Sequence, residues 1–275
     1  MNRALTIAGS DCSGGAGIQA DLKTFTAFGV YGMSAITSVV AENTVGVQKV
    51  HDLPVDLVVE QITSCVSDIG TDAVKIGMLS NPAIVEAVAA AIDEHQLPNV
   101  VVDPVMVAKS GDPLLSEDAR TTITEKLLPK AFVITPNKHE AETLLGRKLW
   151  TLEDMKTAAK ELADLGCRWV VVKGGHMTGE SQAIDVVYDG QFVHTLPAPF
   201  IDTPNTHGTG CTFSSAIAAS LAKGVHPLEA IGQAKGYITR AIKESVPLGK
   251  GHGPTNHLAG VESEWFVVPQ DVRKR

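Results

Sequence analysis

The sequence lacks several features that would place it in a specialised class of protein. Its four cysteines are widely spaced and form no C-x-x-C pair, which argues against a disulfide framework or a zinc site. No stretch approaches the roughly 20 apolar residues of a transmembrane helix, and the first residues do not resemble a signal peptide. The formal net charge is −8, which argues against a broad basic surface for nucleic acid. We therefore expect a cytoplasmic protein that binds neither membranes nor nucleic acids.

The remaining composition is that of an ordinary globular protein. Hydrophobic residues make up 44% of the 275 residues and charged residues 20%, and this length suits one α/β domain with a substantial core. We find no internal repeat, low-complexity tract or linker. The sequence therefore predicts a single domain over residues 1–260, followed by a loosely held tail over residues 261–275.

Short β-branched runs alternate with alanine-rich helical patterns along the chain, which predicts a mainly parallel sheet. The predicted strands cover residues 4–8, 33–41, 73–76, 99–103, 132–135 and 169–173. Helices are predicted between them, for example over residues 56–68, 82–94 and 152–165. The Asp189-Gly190 pair lies between two short apolar runs and predicts a β-hairpin. We expect an α/β fold with a mostly parallel, doubly wound sheet, helices on both faces and a β-hairpin extension.

Polar and glycine-rich clusters follow the predicted strands, at residues 9–11, 42–44, 77–78, 103–104, 135–137 and 173–175. In open α/β sheets, ligands bind outside the carboxyl ends of the strands. We therefore expect these clusters to meet at one edge of the sheet and to form the functional site.

The first glycine-rich segment matches G-x-G-x-x-A from Gly15 to Ala20, and the acidic Glu42 follows later. This pattern is close to a dinucleotide-binding fingerprint, but residues 10–14 separate it from the preceding strand, where the fingerprint needs its first glycine. No P-loop string occurs. The glycines could instead allow close approach of a ligand, or simply give a flexible loop before a helix.

The second glycine-rich segment contains Gly208, Gly210 and Cys211, directly before a predicted helix. Backbone N–H groups at a helix start bind anions, and glycines leave that site open. A cysteine there should have a lowered pKa. This pattern suits an anion hole beside a base for phosphoryl transfer, although an inert buried thiol is the structural alternative.

Three other strand ends carry residues suited to phosphate or metal chemistry. Asn137 and Glu140 have the spacing of a capping box, but the Glu140 carboxylate could also recruit Mg²⁺. Asp103 is a second candidate carboxylate, and Lys173 could approach phosphates as a point charge. The polar segment 109–112 suits a mobile flap.

Together these residues resemble the ribokinase superfamily, and within it the hydroxymethylpyrimidine/phosphomethylpyrimidine kinases of thiamine biosynthesis. The resemblance runs from Ala4 to about His257. Its specificity lies in the ordered set of motifs, at residues 5–11, 14–25, 41–44, 75–79, 103–106, 108–111, 135–137, 140, 173–176 and 206–212.

The resemblance implies a ribokinase-like fold and ATP-dependent phosphorylation of a hydroxymethyl group on a pyrimidine and on its monophosphate. Cys211 would accept the substrate's hydroxyl proton, and the segment from Gly208 to Cys211 would form the anion hole. The residues implied for ATP are Lys173, His176, Thr209 and Gly210, and those implied for Mg²⁺ are Asp103, Asn137 and Glu140.

The resemblance also implies a pyrimidine pocket and a homodimer. The residues implied for the pocket are Gly9, Asp21, Glu42, Met78 and Val105. Three alternatives remain open from the sequence: a pyridoxine, pyridoxal or pyridoxamine kinase on the same scaffold, a nicotinamide-dependent oxidoreductase, and a non-catalytic vitamin-binding protein.

Overall fold

The computed structural model describes residues 1–106, 117–175 and 182–261. The predicted tail over residues 261–275 therefore lies outside the described residues, apart from Val261. The strands in chain order are β1 (Arg3–Ala8), β2 (Tyr31–Ile36), β3 (Ser38–Asn43), β4 (Gly46–Asp52), β5 (Ala73–Ile76), β6 (Val100–Val102), β7 (Val133–Ile134), β8 (Trp169–Val172), β9 (Gln182–Tyr188) and β10 (Val193–Pro199).

Eight of these strands form one sheet in the order β10-β9-β8-β7-β6-β5-β1-β2. The six strands from β8 to β2 in this order run parallel, and β9 and β10 add an antiparallel edge. β3 and β4 pair only with each other in a separate two-stranded sheet. The expected α/β class with a mostly parallel sheet is confirmed.

Helices cover both faces of this sheet. They are α1 (Gly17–Ala27), α2 (Val55–Asp68), α3 (Pro82–Glu94), α4 (Glu117–Thr122), α5 (Lys138–Leu145), α6 (Leu152–Ala163), α7 (Thr209–Ala222) and α8 (Pro227–Lys243). A π-helical turn (Ile123–Leu127) and a 3₁₀ turn (Leu128–Lys130) continue α4. No helix among the described residues is long and apolar enough to cross a membrane.

The two faces of the sheet carry separate apolar cores because successive side chains of a strand point to opposite faces. In β6, Val100 and Val102 belong to the core that includes residues of α2, α3 and α6, whereas Val101 belongs to the core that includes residues of α1, α7 and α8. Both sets are buried, which explains why the parallel strands read as continuous apolar runs.

The strand predicted over residues 33–41 is wrong, because the chain divides there into β2 and β3. Thr37 lies between them, and its backbone N–H donates to the Ala8 carbonyl while its hydroxyl donates to the Met78 carbonyl. The bond to Ala8 is at the end of the β1–β2 pairing, and the chain then continues into β3 outside the main sheet. The partner strand β4 is largely exposed and polar, so the sequence did not predict it.

The hairpin predicted at Asp189-Gly190 is present, and it extends the main sheet at one edge. Asp189 accepts hydrogen bonds from the backbone N–H groups of Gln191 and Phe192, and Gly190 has a φ of 93°. These contacts close the turn between β9 and β10. The hairpin that stands apart from the main sheet is β3–β4.

Candidate active site

Many of the predicted site residues gather at the carboxyl edge of the parallel sheet. β5, β6, β7 and β8 run parallel, so the residues that follow them emerge at the same edge. Asp103 follows β6, Thr135 follows β7 and Lys173 follows β8. A parallel bridge between Asn137 and Lys173 continues this alignment beyond the strands. The topology thus brings together polar side chains that are distant in the sequence.

Asp103 and Lys173 form a buried ion pair at this edge. Lys173 Nζ lies 2.9 Å from Asp103 Oδ1, and the Thr135 hydroxyl donates to the same oxygen at 3.0 Å. Burial disfavours the charged form of Lys173, but the Asp103 and Glu140 carboxylates outweigh it and raise the pKa of this lysine. Lys173 therefore provides a fixed positive charge at the sheet edge.

The second glycine-rich segment forms the first turn of α7 directly above this ion pair. Gly208 is the N-cap, with a φ of 79°, and the helix begins at Thr209. A Cβ on Gly210 would lie 3.0 Å from Asp103 Oδ2 and 3.4 Å from Lys173 Nζ. Because the first N–H groups of a helix lack intrahelical acceptors, this turn can bind an anion beside Lys173.

Cys211 lies in the first turn of α7, but the prediction that its pKa is lowered is wrong. Burial raises the pKa of the Cys211 thiol to about 11, Lys75 lowers it, and the carboxylates of Asp21 and Asp103 raise it further. The Lys75 ammonium does not compensate for the loss of water around a thiolate. Cys211 is therefore mainly a neutral thiol at neutral pH, with a minor thiolate fraction.

A buried charge pair between α1 and β5 supports this part of the site. Lys75 Nζ lies 2.9 Å from Asp21 Oδ2, and both side chains are fully buried. The hydroxyls of Thr6 and Ser215 also donate to Asp21, each at 2.6 Å. Asp21 was predicted to line the substrate pocket. In the structure its carboxylate is buried and joins α1 to β1, β5 and α7 through hydrogen bonds. Sequence reasoning missed this role of Lys75, although a single lysine within an apolar strand could have indicated a buried charge pair.

Asn137 and Glu140 form the capping box of α5, which was the structural alternative for this pair. The Asn137 side chain accepts from the Glu140 backbone N–H at 2.9 Å, and Glu140 Oε2 accepts from the Asn137 N–H at 2.7 Å. Burial raises the pKa of the Glu140 carboxyl to about 7, an effect that Lys173 opposes. The Asn137 amide oxygen caps the helix, and its implied part in organising Mg²⁺ stays a prediction.

The predicted pocket residues Gly9 and Met78 are neighbours, since a Cβ on Gly9 would lie 3.4 Å from Met78 Sδ. β3 runs beside them: the Ser10 N–H donates to the Ser38 carbonyl at 2.9 Å. Glu42 lies near the end of β3, where burial and the Asp11 carboxylate raise its pKa to about 7. Glu42 is therefore not at the end of a main-sheet strand, as the sequence suggested.

Val105 also lies next to the charged cluster. Its backbone N–H donates to the Asp103 carbonyl at 2.8 Å, and its side chain is half-buried. Two other sequence predictions cannot be placed. His176 and the possible flap at residues 109–112 lie outside the described residues.

Asp11 and His207 form a second buried pair that sequence reasoning missed. His207 Nε2 lies 2.8 Å from Asp11 Oδ2, and Glu42 stands close enough for three potential metal-ligand atoms to lie within 4.8 Å of one another. However, Asp11 Oδ2 also accepts the N–H groups of Gly15 and Ala16. The cluster is thus held by hydrogen bonds and leaves that oxygen little capacity for a metal.

A model of the phosphomethylpyrimidine kinase family matches residues 11–256 of the chain. The chain belongs to this family. A hydroxymethylpyrimidine/phosphomethylpyrimidine kinase of Bacillus subtilis is 47% identical to it over 257 residues, covering 94% of this chain and 95% of the relative. A pyridoxine kinase of the same organism is 49% identical over 262 residues, covering 94% of this chain and 97% of the relative.

Similar proteins of solved structure include a pyridoxal kinase and a phosphomethylpyrimidine kinase. An ADP complex of Bacillus subtilis pyridoxal kinase has a TM-score of 0.88 and 49% identity, covering 94% of this chain and 98% of the other. A phosphomethylpyrimidine kinase of Clostridium difficile has a TM-score of 0.79 and 44% identity, covering 88% of this chain and 100% of the other. The resemblance to this family and the ribokinase-like fold are confirmed, and the chain is a kinase of the family.

Family membership leaves the nicotinamide-dependent oxidoreductase without support, and the structure gives a different reason for the first glycine-rich segment. A Cβ on Gly17 would lie 2.5 Å from the Gly9 carbonyl oxygen, and one on Gly15 would overlap the His207 ring. These glycines permit close packing of protein against protein. They do not form the tight turn directly after a strand that binds a dinucleotide.

Proposed function

We propose that this kinase transfers the γ-phosphoryl group of ATP to the hydroxymethyl group of 4-amino-5-hydroxymethyl-2-methylpyrimidine, and then phosphorylates the resulting monophosphate. One arrangement carries the proposal: Lys173, Asp103 and the glycine start of α7 converge at one point. β3 brings Glu42 to the same carboxyl edge, where it can bind an aminopyrimidine. The family membership supports ATP as the co-substrate.

The charged cluster suits a loose phosphoryl-transfer transition state, in which positioning and charge stabilisation dominate. Lys173 and the N–H groups around Gly208 and Gly210 would hold the phosphates by charge and by hydrogen bonds. Asp103 fixes the Lys173 ammonium at 2.9 Å and so keeps it aimed at the edge. As the bond from phosphorus to the substrate's oxygen forms, the bond from phosphorus to ADP breaks, and the thiolate form of Cys211 accepts the substrate's hydroxyl proton.

The residues at this edge also fit Mg²⁺, which the family's use of ATP implies. Asp103 Oδ1 is engaged with Lys173 and Thr135, whereas Oδ2 faces Gly210 at the start of α7. Mg²⁺ needs only one or two carboxylates when it also binds phosphates and waters. Asp103 would hold the ion directly, and Glu140 would act through a water. When bound, the ion neutralises charge on the transferred group.

Glu42 supports a pyrimidine, rather than pyridoxal, as the substrate. The amino group of the pyrimidine is a donor and the adjacent ring nitrogen is an acceptor, so a carboxyl group that shares one proton with this pair satisfies both positions. The raised pKa of Glu42, about 7, suits such sharing. A pyridoxal kinase remains the second candidate, because relatives with that name are as similar to this chain.

The assignment is tested by offering the purified protein ATP and Mg²⁺ with the hydroxymethylpyrimidine, its monophosphate or pyridoxal. We expect pyrimidine-dependent formation of ADP that stops when Mg²⁺ is removed with a chelator. Phosphorylated products should be identified by mass. Phosphorylation of pyridoxal alone by a folded preparation would establish the second candidate instead. Turnover of no substrate would refute both.

Replacing Glu42 by methionine should weaken pyrimidine binding by about one to two orders of magnitude. The lost partner leaves a buried polar group unpaired, which costs about 1–3 kcal/mol. Binding of each substrate to the variant is measured by calorimetry. The affinity for pyridoxal should fall less than the affinity for the pyrimidine.

Glu42→Gln is the matched control for this prediction. A glutamine amide offers the same donor and acceptor as a protonated carboxyl group, so it should retain more pyrimidine affinity than methionine. Equal losses for pyrimidine and pyridoxal in Glu42→Met would show that Glu42 only stabilises β3.

Replacing Cys211 by alanine should lower kcat at least about tenfold, with the fold and ATP affinity nearly unchanged. A general base typically increases the reaction rate by about 10²–10⁴-fold. We expect the lower end of this range, because a loose transition state depends less on a base. Because the pKa of the thiol is raised to about 11, the base is the minor thiolate form of Cys211, so kcat should rise with pH in the wild type. Cys211→Asp should retain more activity than Cys211→Ala because a carboxylate also accepts a proton. Steady-state kinetics measures both.

Thiol alkylation gives a second measurement of Cys211, and Cys12 must first be removed. Cys12 is exposed and lies near Glu42, with its sulfur 3.2 Å from the Glu42 carbonyl oxygen. In a Cys12→Ser background, alkylation should inactivate the enzyme slowly at neutral pH and faster as pH rises towards the thiol's pKa. Bound substrate should slow the loss. Wild-type turnover by Cys211→Ala would show that the thiol only packs.

We further propose one kinase domain over residues 1–260, a homodimer and a cytoplasmic location. The domain is supported by the family match over residues 11–256, and the location by the supply of ATP and Mg²⁺ in the cytoplasm. The dimer is supported by the separate β3–β4 sheet, where Val39 is 50% exposed. Sedimentation should give twice the mass of the chain, and Val39→Lys should give a monomer.

A further inference from the structure

The two glycine-rich segments, which are nearly 200 residues apart, interlock in the structure. A Cβ on Gly208 would overlap the Gly15 carbonyl oxygen, and a Cβ on Gly15 would overlap Cδ2 of the His207 ring. The turn before α1 and the turn before α7 therefore touch through their backbones. Any movement of one turn must move the other.

The Asp11 carboxylate stabilises this contact through hydrogen bonds to both turns. Its carboxylate accepts the N–H groups of Ser13, Gly15 and Ala16 at 2.7, 3.0 and 2.7 Å, and His207 Nε2 at 2.8 Å. The side chain is fully buried. One carboxylate thus holds the first glycine-rich turn by its backbone and the second by the histidine next to Gly208.

Glu42 stands beside this pair and responds to both of its charges. The Asp11 carboxylate raises the pKa of Glu42, whereas a positively charged His207 lowers it. Burial would lower the pKa of His207, but its hydrogen bond to Asp11 outweighs burial and raises it. The other groups here are Cys12, whose sulfur contacts the Glu42 carbonyl, and Lys23 and His257, which face the pair from α1 and the C-terminal segment.

We propose that His207, held by Asp11, is a positioning residue that locks the anion-binding turn of α7 to the first glycine-rich turn and sets the upper pH limit at which Glu42 still carries the proton that it shares with an aminopyrimidine. Without the imidazolium, Glu42 would face the Asp11 carboxylate alone. His207 then acts on substrate choice through Glu42 and on phosphate binding through Gly208. The kinetic part of this proposal rests on the proposed function, whereas the electrostatic part does not.

The electrostatic part is tested without any substrate. The pKa of Glu42 is measured by NMR in protein labelled with ¹³C at glutamate side chains, with Glu42→Gln identifying the signal. His207→Gln keeps a donor for Asp11 but removes the charge, so the pKa of Glu42 should rise by about one unit. Asp11→Asn would remove the opposite charge and also the hydrogen bond that raises the pKa of His207, so its two effects on Glu42 oppose each other. His207→Asn is therefore the second variant: it also removes the charge and should raise the pKa of Glu42, and either His207 variant that folds decides the direction.

His257→Gln is the matched control. His257 is also buried and bonds through Nε2 to the Thr212 hydroxyl at 3.0 Å, but burial lowers its pKa to about 4, so it is neutral near pH 7. Its replacement removes no charge and should leave the pKa of Glu42 in place. An unchanged Glu42 pKa in His207→Gln or His207→Asn, or an equal shift in His257→Gln, would overturn the proposal.

The kinetic arm uses the pyrimidine. Pyrimidine binding should weaken as pH rises above the pKa of Glu42, because the shared proton is then lost. In His207→Gln this loss in kcat/KM should move about one unit to higher pH, and pyridoxal should show no such movement. A purely structural role for His207 would lower kcat for both substrates without moving the profile. If the wild type does not phosphorylate the pyrimidine, the proposed function fails while the NMR result still stands.

Discussion

Replacing Lys75 by methionine should lower the free energy of unfolding by about 3–5 kcal/mol, the usual effect of removing one partner from a buried ion pair. Both Lys75 and Asp21 are fully buried, so the variant leaves the Asp21 carboxylate without its cation. The hydroxyls of Thr6 and Ser215 still donate to Asp21, but they carry no charge. Urea denaturation followed by circular dichroism measures the loss.

Two further variants separate the charge effect from the change in packing. The double variant Lys75→Met with Asp21→Asn removes both charges and keeps an acceptor for the hydroxyls, so it should regain much of the lost stability. Lys156→Met removes a lysine from the surface pair with Glu153 and should leave stability unchanged within error. A double variant as unstable as Lys75→Met would mean that packing, and not the pair, is responsible.

Replacing Gly208 by alanine should reduce kcat by about 10²–10³-fold, the effect of losing a hydrogen-bond donor to a transition-state anion. Gly208 has a φ of 79°, and its added methyl group would overlap the Gly15 carbonyl oxygen. Because that oxygen belongs to a backbone fixed by Asp11, the start of α7 must move. Steady-state kinetics, with nucleotide affinity measured separately, tests this expectation.

Gly224 provides a matched control at the other end of the same helix. Its φ is 77°, nearly that of Gly208, but an added Cβ would meet nothing within 4 Å. Gly224→Ala should therefore carry the same backbone strain, lowering stability by about 1 kcal/mol, while keeping wild-type turnover. Equal loss of kcat in both variants would show that strain, and not the contact with Gly15, determines activity.

The continuous apolar runs of the central strands predicted their structure well. A strand such as β5 or β8 is buried on both faces, so nearly every position must be apolar and the pattern is unambiguous. The same argument failed over residues 33–41, where the apolar run continues although the chain leaves the sheet at Thr37. A local run of apolar residues does not indicate which other strand its backbone groups will hydrogen-bond to.

The candidate site could be predicted only in part for a related reason. Asp103 and Lys173 follow strands, so their convergence follows from the parallel topology. The pair of Asp11 and His207 follows from no local pattern, because it depends on how the turns before α1 and α7 pack together. For Asn137 and Glu140, the capping box and the metal site share one sequence pattern, and only the hydrogen bonds distinguish them.

The amino-acid sequence by itself determined the parallel α/β class, the strand ends that carry polar residues and the family to which the chain belongs, because these depend on local periodicity and on the order of motifs. Only the tertiary structure decided the charge states of the site residues and the residues that they contact. The pKa of Cys211 is raised because burial outweighs the Lys75 ammonium, and Glu42 reaches the site because β3 leaves the main sheet. Burial and long-range contacts are properties of the packed chain, so no local pattern contains them.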